Sequence, residues 1–116
     1  MGNTVVVVPS TRWALVATDL YQVIETSDIP SGVINIVTGG ARDLASVLAK
    51  HADVDGLWVV ADGEICKSVE TASADNLKRV WTSGGNAVDW TGPGGALAPF
   101  LRRAVEVKNV WVPYGD

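Results

Sequence analysis

Along this chain, short continuous runs of hydrophobic residues alternate with segments in which hydrophobic residues recur every three or four positions. Nearly continuous β-branched runs at 5–8 and 33–37 are bounded by glycine and proline, which is typical of strands buried on both faces of a parallel sheet. Between such runs, apolar residues recur every three or four positions, as on one face of a helix. Pro30 ends the helix before the second run, and Gly39 and Gly40 form the turn into the next helix. The pattern therefore predicts alternating strands and helices.

Four strands and three connecting helices are predicted in this part of the chain. The strands are 5–8, 33–37, 54–60 and 77–82; the helices are 12–26, 41–51 and a third that starts after Asp62. Ser10 or Thr11 is expected to cap the first helix, and Asp62 the third. This order predicts an α/β fold, a Rossmann-like three-layer parallel sheet with flanking helices and right-handed crossovers. A sheet this small is expected to need a neighbour that covers its edges and faces.

The pattern changes after Ser83. Residues 83–86 and 91–95 are rich in turn-forming residues, a helix is predicted at 97–105, and 107–112 alternate as in a strand with one covered face. We therefore expect a domain at 1–86, followed at 87–116 by a linker, a C-terminal helix and a strand tail. The alternation leaves open whether one face of that strand is exposed or covered by something outside the chain.

Composition narrows the range of functions. The 116 residues carry a net charge of −4, which argues against a nucleic-acid partner. No apolar run is long enough to span a membrane, and the amino terminus has no basic signal region, so a cytoplasmic protein is expected. The single cysteine excludes an intramolecular disulfide. Five tryptophans in so short a chain suit either an interface or the protein's own core.

Metal binding is not expected. Cys66 and His51 lack the ligand spacing of a zinc site, and each is assigned a structural role. The acidic residues near the third predicted strand are read as a solvated cluster rather than a cation site, because they straddle that strand. They are Asp53, Asp55, Asp62 and Glu64.

Several segments together resemble the aldehyde dehydrogenase superfamily. Residues 2–10 and 29–39 are similar to its cofactor domain, 51–57 to the stretch before its pyrophosphate loop, and 76–80 with Gly84-Gly85 to the strand and turn of its general base. Residues 101–111 resemble its terminal oligomerisation strand. A complete member has a catalytic domain with a nucleophilic cysteine between that turn and that strand, whereas only residues 87–100 lie between them here.

The resemblance places the cofactor site on Val8, Pro9, Ser10 and Asp62. The family's ribose-binding lysine falls on Val8, and its pyrophosphate-binding Gly-Ser pair falls on Ala61 and Asp62. Valine cannot donate a hydrogen bond to a ribose hydroxyl. A carboxylate at the start of a helix occupies the place where a bound phosphate would gain most. By resemblance the cofactor is NAD(P), and these departures predict that it is bound weakly or not at all.

Catalytic residues are absent from the matching positions. The family's general-base glutamate falls on Thr82, which cannot act as a carboxylate base. No position matches the nucleophile, and Cys66 is expected to pack inside the cofactor-type domain. The family's activity, NAD(P)-dependent aldehyde oxidation, is therefore uncertain for this chain.

Two hypotheses remain open. The first is an aldehyde-dehydrogenase-like fragment or pseudoenzyme, non-catalytic on its own, that acts in folding or assembly. The second is an NAD(P)-binding subunit of an oxidoreductase acting on aldehydes, because the predicted fold keeps the crevice where dinucleotides bind. In either case we expect self-association or an aldehyde-dehydrogenase-like partner chain.

Overall fold

A computed structural model of the chain describes residues 2–92 and 97–114. Gly2–Ala87 form one unit, and the residues from Val88 onward belong to a second. The strands are β1 (Val5–Val7), β2 (Ile34–Ile36), β3 (Gly56–Val59) and β4 (Arg79–Thr82); the helices are α1 (Ala14–Glu25), α2 (Ala41–Lys50), α3 (Gly63–Ser73) and α4 (Leu97–Arg103). Short 3-10 turns, Thr11–Trp13 and Ala74–Asn76, precede α1 and follow α3. None of the helices in the described ranges is long and apolar enough to cross a membrane.

The strands pair in parallel, as the alternating pattern predicts. β1 pairs with β2, with Val6 opposite Asn35, and β3 pairs with β4, with Trp58 opposite Trp81. The expected single four-stranded sheet is wrong in one respect, because the described strands form two separate two-stranded sheets. Apolar periodicity identifies the strands and their faces but carries no information on which strands become neighbours, so the pairing depends on tertiary contacts.

The core of the larger unit lies between α2, α3 and the β3–β4 sheet. Ala49 of α2, Val59 of β3, and Cys66 and Val69 of α3 are buried against one another. Half-buried residues surround them, namely Ala45, Leu57, Ala61, Ile65, Ala72 and Val80. Cys66 thus has the packing position that was expected of it.

The end of α2 is held by two side chains from the segment before β4. The Lys78 ammonium donates to the carbonyl oxygens of Leu48 and His51 at 2.8 and 2.7 Å, and the Asn76 amide donates to the carbonyl of Ala49 at 3.1 Å. Helix ends leave such carbonyls without partners inside the helix, so these bonds fasten α2 to the start of β4. Burial lowers the pKa of Lys78, and the nearby Asp55 charge opposes that shift.

Strand β1 departs from expectation. Its valine run predicts a strand buried on both faces, yet all three residues of β1 are exposed, Val6 by 48%. A continuous apolar run indicates that both faces of a strand need to be buried, but other elements of the structure must bury them. In the described part of the chain β1 hydrogen-bonds only to β2, and the helices α2 and α3 pack around β3 and β4 instead.

The C-terminal unit contains a helix and an irregular tail. Helix α4 lies within the predicted helix 97–105, and the Phe100 ring contacts that of Trp90 at 5.3 Å between centroids. The predicted strand 107–112 is not confirmed, because residues 105–114 have no strand pairing within the described part of the chain and Trp111 is almost fully exposed. A strand is defined by hydrogen bonds to a neighbouring strand, and in the described residues no strand pairs with this segment.

Candidate functional site

The amino end of α3 is capped by the side chain of Asp62. One carboxylate oxygen of Asp62 accepts a hydrogen bond from the backbone N–H of Ile65 at 2.9 Å, which is the geometry of an N-cap. The sequence predicts this cap, and the structure confirms it. One of the N–H groups that a bound phosphate could use is therefore already engaged by a carboxylate of the same chain.

A glycine turn lies directly over this helix end. Ser83 continues from β4 and donates its backbone N–H to the carbonyl of Val59 at 2.9 Å, which places the following turn beside α3. Gly84 and Gly85 both have positive φ, and a β-carbon built on Gly85 would lie 3.0 Å from the backbone nitrogen of Gly63. Only glycine allows so close an approach in that backbone conformation. The turn thus contacts the first residue of α3, although Asp62, Gly63 and Glu64 remain exposed.

The other predicted cofactor positions follow β1. Val8 and Pro9 are half-buried and Ser10 is exposed. The Ser10 carbonyl accepts from the Trp13 N–H at 2.9 Å, but the Ser10 side chain makes no capping hydrogen bond, so the expected side-chain cap of the first helix does not form. Instead, the Thr11 hydroxyl donates to the Gly39 carbonyl at 3.4 Å and connects the segments that follow β1 and β2.

The two halves of the predicted site are held by different contacts. In the described residues no hydrogen bond or ion pair joins Val8, Pro9 or Ser10 to Asp62. Asp62 belongs to the α3 cap, whereas the Pro9-Ser10 segment belongs to the first helical turn. The structure therefore gives no evidence that these four residues act together on one ligand.

Arg42 was missed by the sequence reasoning. Its guanidinium, in the first turn of α2, forms an exposed ion pair of 2.9 Å with Glu64 in the first turn of α3. The hydrogen bond that Arg42 donates to Glu64, and then the Glu64 charge, raise the pKa of Arg42. These residues are far apart in sequence and show no local spacing signal, so only the packing of α2 on α3 reveals the pair. Because this cation is already paired with Glu64, a phosphate near α3 would have to compete for it.

Glu70 was also missed. The Thr82 hydroxyl, at the position that resembles the family's general base, donates to a Glu70 carboxylate oxygen at 2.6 Å. A carboxylate thus lies beside Thr82, supplied by α3 rather than by β4. In this arrangement the Glu70 carboxylate accepts a hydrogen bond from Thr82 of the same chain. No residue matches the nucleophile that a general base would activate.

Cys66 and the acidic cluster complete the set of predicted residues. Cys66 is only 2% exposed, and its sulfur contacts the Ala61 carbonyl oxygen at 3.5 Å, so it is enclosed in the core. Across residues 2–92 and 97–114, histidine, cysteine, aspartate and glutamate side chains form no group of three that could hold a metal ion.

Sequence comparison decides the family. The profile of the aldehyde dehydrogenase family matches residues 1–88, more than half of the chain. This chain belongs to the aldehyde dehydrogenase family. Aldehyde dehydrogenase 1A1 from Mus musculus is 38% identical over 80 residues, and the NADP/NAD-dependent aldehyde dehydrogenase PuuC from Escherichia coli is 32% identical over 85 residues.

Solved structures of the family have the same fold. The aldehyde dehydrogenase KauB from Pseudomonas aeruginosa has a TM-score of 0.66 and 34% identity over 70% of this chain. A variant of aldehyde dehydrogenase C from Pseudomonas syringae, in complex with NAD+ and octanal, also has a TM-score of 0.66, with 30% identity over 68% of this chain. The resemblance inferred from the sequence segments within residues 1–88 is therefore confirmed, and so is the α/β fold class with parallel strands.

The match covers a small part of each relative. The two named sequence relatives are matched over 68% and 72% of this chain but over only 16% and 17% of their own length. The two solved structures are matched over 17% and 16% of theirs. The chain thus corresponds to one module of an aldehyde dehydrogenase.

Proposed function

We propose that this aldehyde dehydrogenase family module is non-catalytic on its own and acts in folding or assembly with another polypeptide. The observation that carries the proposal is the capped amino end of α3, where a carboxylate of the chain itself stands. Asp62 bonds to the Ile65 N–H, and Gly85 packs against Gly63. The helix dipole would stabilise a dinucleotide phosphate most strongly at this end of α3, and the Asp62 carboxylate and the Gly85 backbone already lie there.

Electrostatics supports weak or absent dinucleotide binding. A phosphate at this helix end would lie beside the Asp62 carboxylate and compete with it for the same N–H. Two like charges about 4 Å apart, at an effective dielectric of about 20, repel by roughly 4 kcal/mol. Since about 1.4 kcal/mol corresponds to a tenfold change in affinity, this repulsion would weaken binding by roughly three orders of magnitude.

Absent catalytic groups support the same proposal. Aldehyde oxidation through an acyl-enzyme needs a nucleophile and a base. The only cysteine, Cys66, is buried in the core, and Thr82 holds the position that matches the base. A module that retains its core and lacks these groups is suited to a structural role, either with a second copy of itself or with an aldehyde-dehydrogenase-like chain. A relative named as a cytosolic aldehyde dehydrogenase, from Elephantulus edwardii, supports a cytoplasmic location as part of this proposal.

A second candidate function is an NAD(P)-binding subunit of an oxidoreductase acting on aldehydes. One observation favours it: a related structure with a TM-score of 0.66 is a complex with NAD+. Parallel βαβ units also bring strand ends and helix amino ends to one edge, where dinucleotides bind in such folds. Against it stand the residues Val8 and Asp62, because function depends on the residues at a site rather than on the fold.

Calorimetric titration with NAD+ and NADH tests the proposal. We expect no saturable heat with the wild-type chain up to millimolar ligand. In the double variant Val8→Lys/Asp62→Ser, which restores the donor and removes the repelling carboxylate, we expect measurable binding. Val8→Lys/Asp75→Ser is the matched control, because it removes a carboxylate near the opposite end of α3. Saturable one-to-one binding by the wild type would favour the NAD(P)-binding subunit.

A turnover assay tests the catalytic part separately. The chain is mixed with NAD+ and short aliphatic aldehydes, and NADH absorbance is followed. We expect no turnover above the protein-free rate. Turnover that increases in proportion to the chain and persists after repurification would overturn the non-catalytic assignment.

A further inference from the structure

Two buried polar atoms lie at the carboxyl end of α3. Ser73, the last residue of this helix, is only 3% exposed, and Asn76 ends the 3-10 turn that follows. Within residues 2–92 and 97–114, neither the Ser73 Oγ nor the Asn76 Oδ1 has a hydrogen-bond partner, although both atoms are buried. Buried polar side-chain atoms are nearly always paired, either with protein or with ordered water. These two atoms therefore point to a small bound molecule.

The backbone brings the two side chains to the same side of the turn. Ser73 has helical dihedral angles, φ −86° and ψ −11°, and Asn76 comes three residues later. In a 3-10 turn the side chains of residues i and i+3 eclipse one another, and at this spacing their β-carbons are about 5–6 Å apart. A molecule that makes two hydrogen bonds of about 2.8 Å each can span such a distance. One small molecule can therefore bridge Ser73 and Asn76.

The Asn76 amide is already oriented by α2. Its nitrogen donates to the carbonyl oxygen of Ala49 at 3.1 Å, and Ala49 is fully buried. This bond uses the donor side of the amide and leaves Oδ1 as an acceptor. The Ser73 hydroxyl can both donate and accept. The bound molecule must therefore donate to Asn76, and it can donate to Ser73 or accept from it.

Charge argues against an ion in this position. The Lys78 ammonium binds the carbonyl oxygens of Leu48 and His51, on either side of Ala49 in the chain, so positive charge is already present at this end of α2. A second cation would be repelled by it. An anion would meet the Asn76 Oδ1, which offers it no donor. A neutral molecule that both donates and accepts fits these atoms, and water is the smallest such molecule.

We propose that one internal water molecule bridges the Ser73 Oγ and the Asn76 Oδ1. Through the bond of Asn76 to Ala49, this water connects the end of α3 to the end of α2. Globular proteins hold about one buried water per 27 residues, each bonded to polar groups that would otherwise be unpaired. The site takes part in neither dinucleotide binding nor catalysis, so its failure would leave the proposed function unchanged.

A crystal structure that resolves ordered water tests the site directly. We expect a water oxygen within about 2.6–3.2 Å of both the Ser73 Oγ and the Asn76 Oδ1. A dry site, in which the Ser73 hydroxyl turns to a carbonyl of the preceding helical turn, would overturn the proposal. A water bonded to only one of the two atoms would do the same.

The sign of a stability change tests the same site in solution. Ser73→Ala removes one ligand of the water and should lower the thermal midpoint by about 4 °C relative to Ser68→Ala. Ser68→Ala is the matched control, because it makes the same substitution on an exposed position of α3. A dry, unpaired hydroxyl predicts the opposite sign, since its removal relieves a buried polar group. A midpoint equal to or above that of the control would therefore contradict the bound water.

A double-mutant cycle tests whether the two side chains share one molecule. Asn76→Ala removes the bond to Ala49 together with the water, and the same water cannot be lost twice. In this background the effect of Ser73→Ala on urea unfolding should therefore shrink by at least about half. Circular dichroism checks that each variant is folded. Strictly additive effects would show that Ser73 and Asn76 have separate partners and would refute the bridge.

Discussion

Gly85 packs against the first residue of α3 so closely that a β-carbon on it would lie 3.0 Å from the backbone nitrogen of Gly63. The backbone of Gly85 also has a φ of +87°, which L side chains rarely adopt. We therefore expect Gly85→Ala to destabilise the chain by about 3 kcal/mol, because the methyl group meets backbone that cannot move aside cheaply. Urea unfolding followed by circular dichroism measures this change.

Gly84→Ala is the matched control. Gly84 also has positive φ, but the nearest atom to an added β-carbon is the Asn86 amide nitrogen at 3.8 Å. Only the conformational cost remains, about 1 kcal/mol. Equal losses in the two variants would mean that the contact with Gly63 does not restrict the turn.

Asp62 should stabilise α3 in addition to blocking its amino end. Asp62→Ala removes the acceptor of the Ile65 N–H and should lower the free energy of unfolding by about 1 kcal/mol. Asp62→Ser, which keeps a capping oxygen, should recover most of that loss. Thermal unfolding of the two variants distinguishes the effects, and a Ser variant as unstable as the Ala variant would argue against the capping role.

Lys78 should stabilise the end of α2. Lys78→Met keeps most of the aliphatic length but removes both hydrogen bonds to the carbonyls of Leu48 and His51, so a loss of about 1–3 kcal/mol is expected. Lys67→Met, on the exposed side of α3, removes the same charge and should change the stability by less than about 0.5 kcal/mol. Denaturant unfolding at neutral pH provides the comparison, and similar effects of the two substitutions would show that the net charge is responsible.

Asp89 should titrate below its ordinary value. Its carboxylate accepts hydrogen bonds from the Thr91 hydroxyl, the Thr91 N–H and the Gly92 N–H, and these bonds lower the pKa of Asp89. A carboxyl group with a lowered folded pKa stabilises the turn above about pH 3.8, and the stabilisation is lost as the pH falls through the lowered value. Carboxyl carbon NMR should give a midpoint below 3.8.

Thr91→Val separates the contributions to this shift. It removes the hydroxyl donor, which is the largest cause, and keeps both backbone donors. The midpoint of Asp89 should therefore rise towards 3.8 without reaching it. An unchanged midpoint in the variant would mean that the hydroxyl bond is not formed in solution.

Cys66 should be unreactive in the folded chain. Since its side chain is enclosed between α3 and the strands, a maleimide or disulfide reagent can reach it only after local unfolding. We expect modification at least a hundredfold slower than for an exposed thiol, measured in the presence and absence of denaturant. The variant Thr18→Cys provides the exposed reference. Rapid labelling without denaturant would contradict the buried position and reopen the question of a chemical role.

The strands and helices of residues 2–87 follow largely from the sequence. Local signals specify them: glycine and proline bound the strands, aliphatic stripes mark the helices, and Asp62 begins α3. Such signals act over a few residues and can therefore be detected along the chain. The family could be recognised for a similar reason, because its segments occur in the same order as in its relatives.

Contacts between distant segments were decided only by the tertiary structure. No pattern along the chain indicates that Arg42 pairs with Glu64, that Thr82 donates to Glu70, or that Lys78 holds the end of α2. The exposure of β1 could not be predicted for the same reason. Its valine run indicates that the strand needs to be buried, but not whether other segments of the chain bury it. Local sequence determines secondary structure and the Asp62 cap here, whereas burial, strand pairing and the contact of Gly85 with α3 arise from the packing of separate elements.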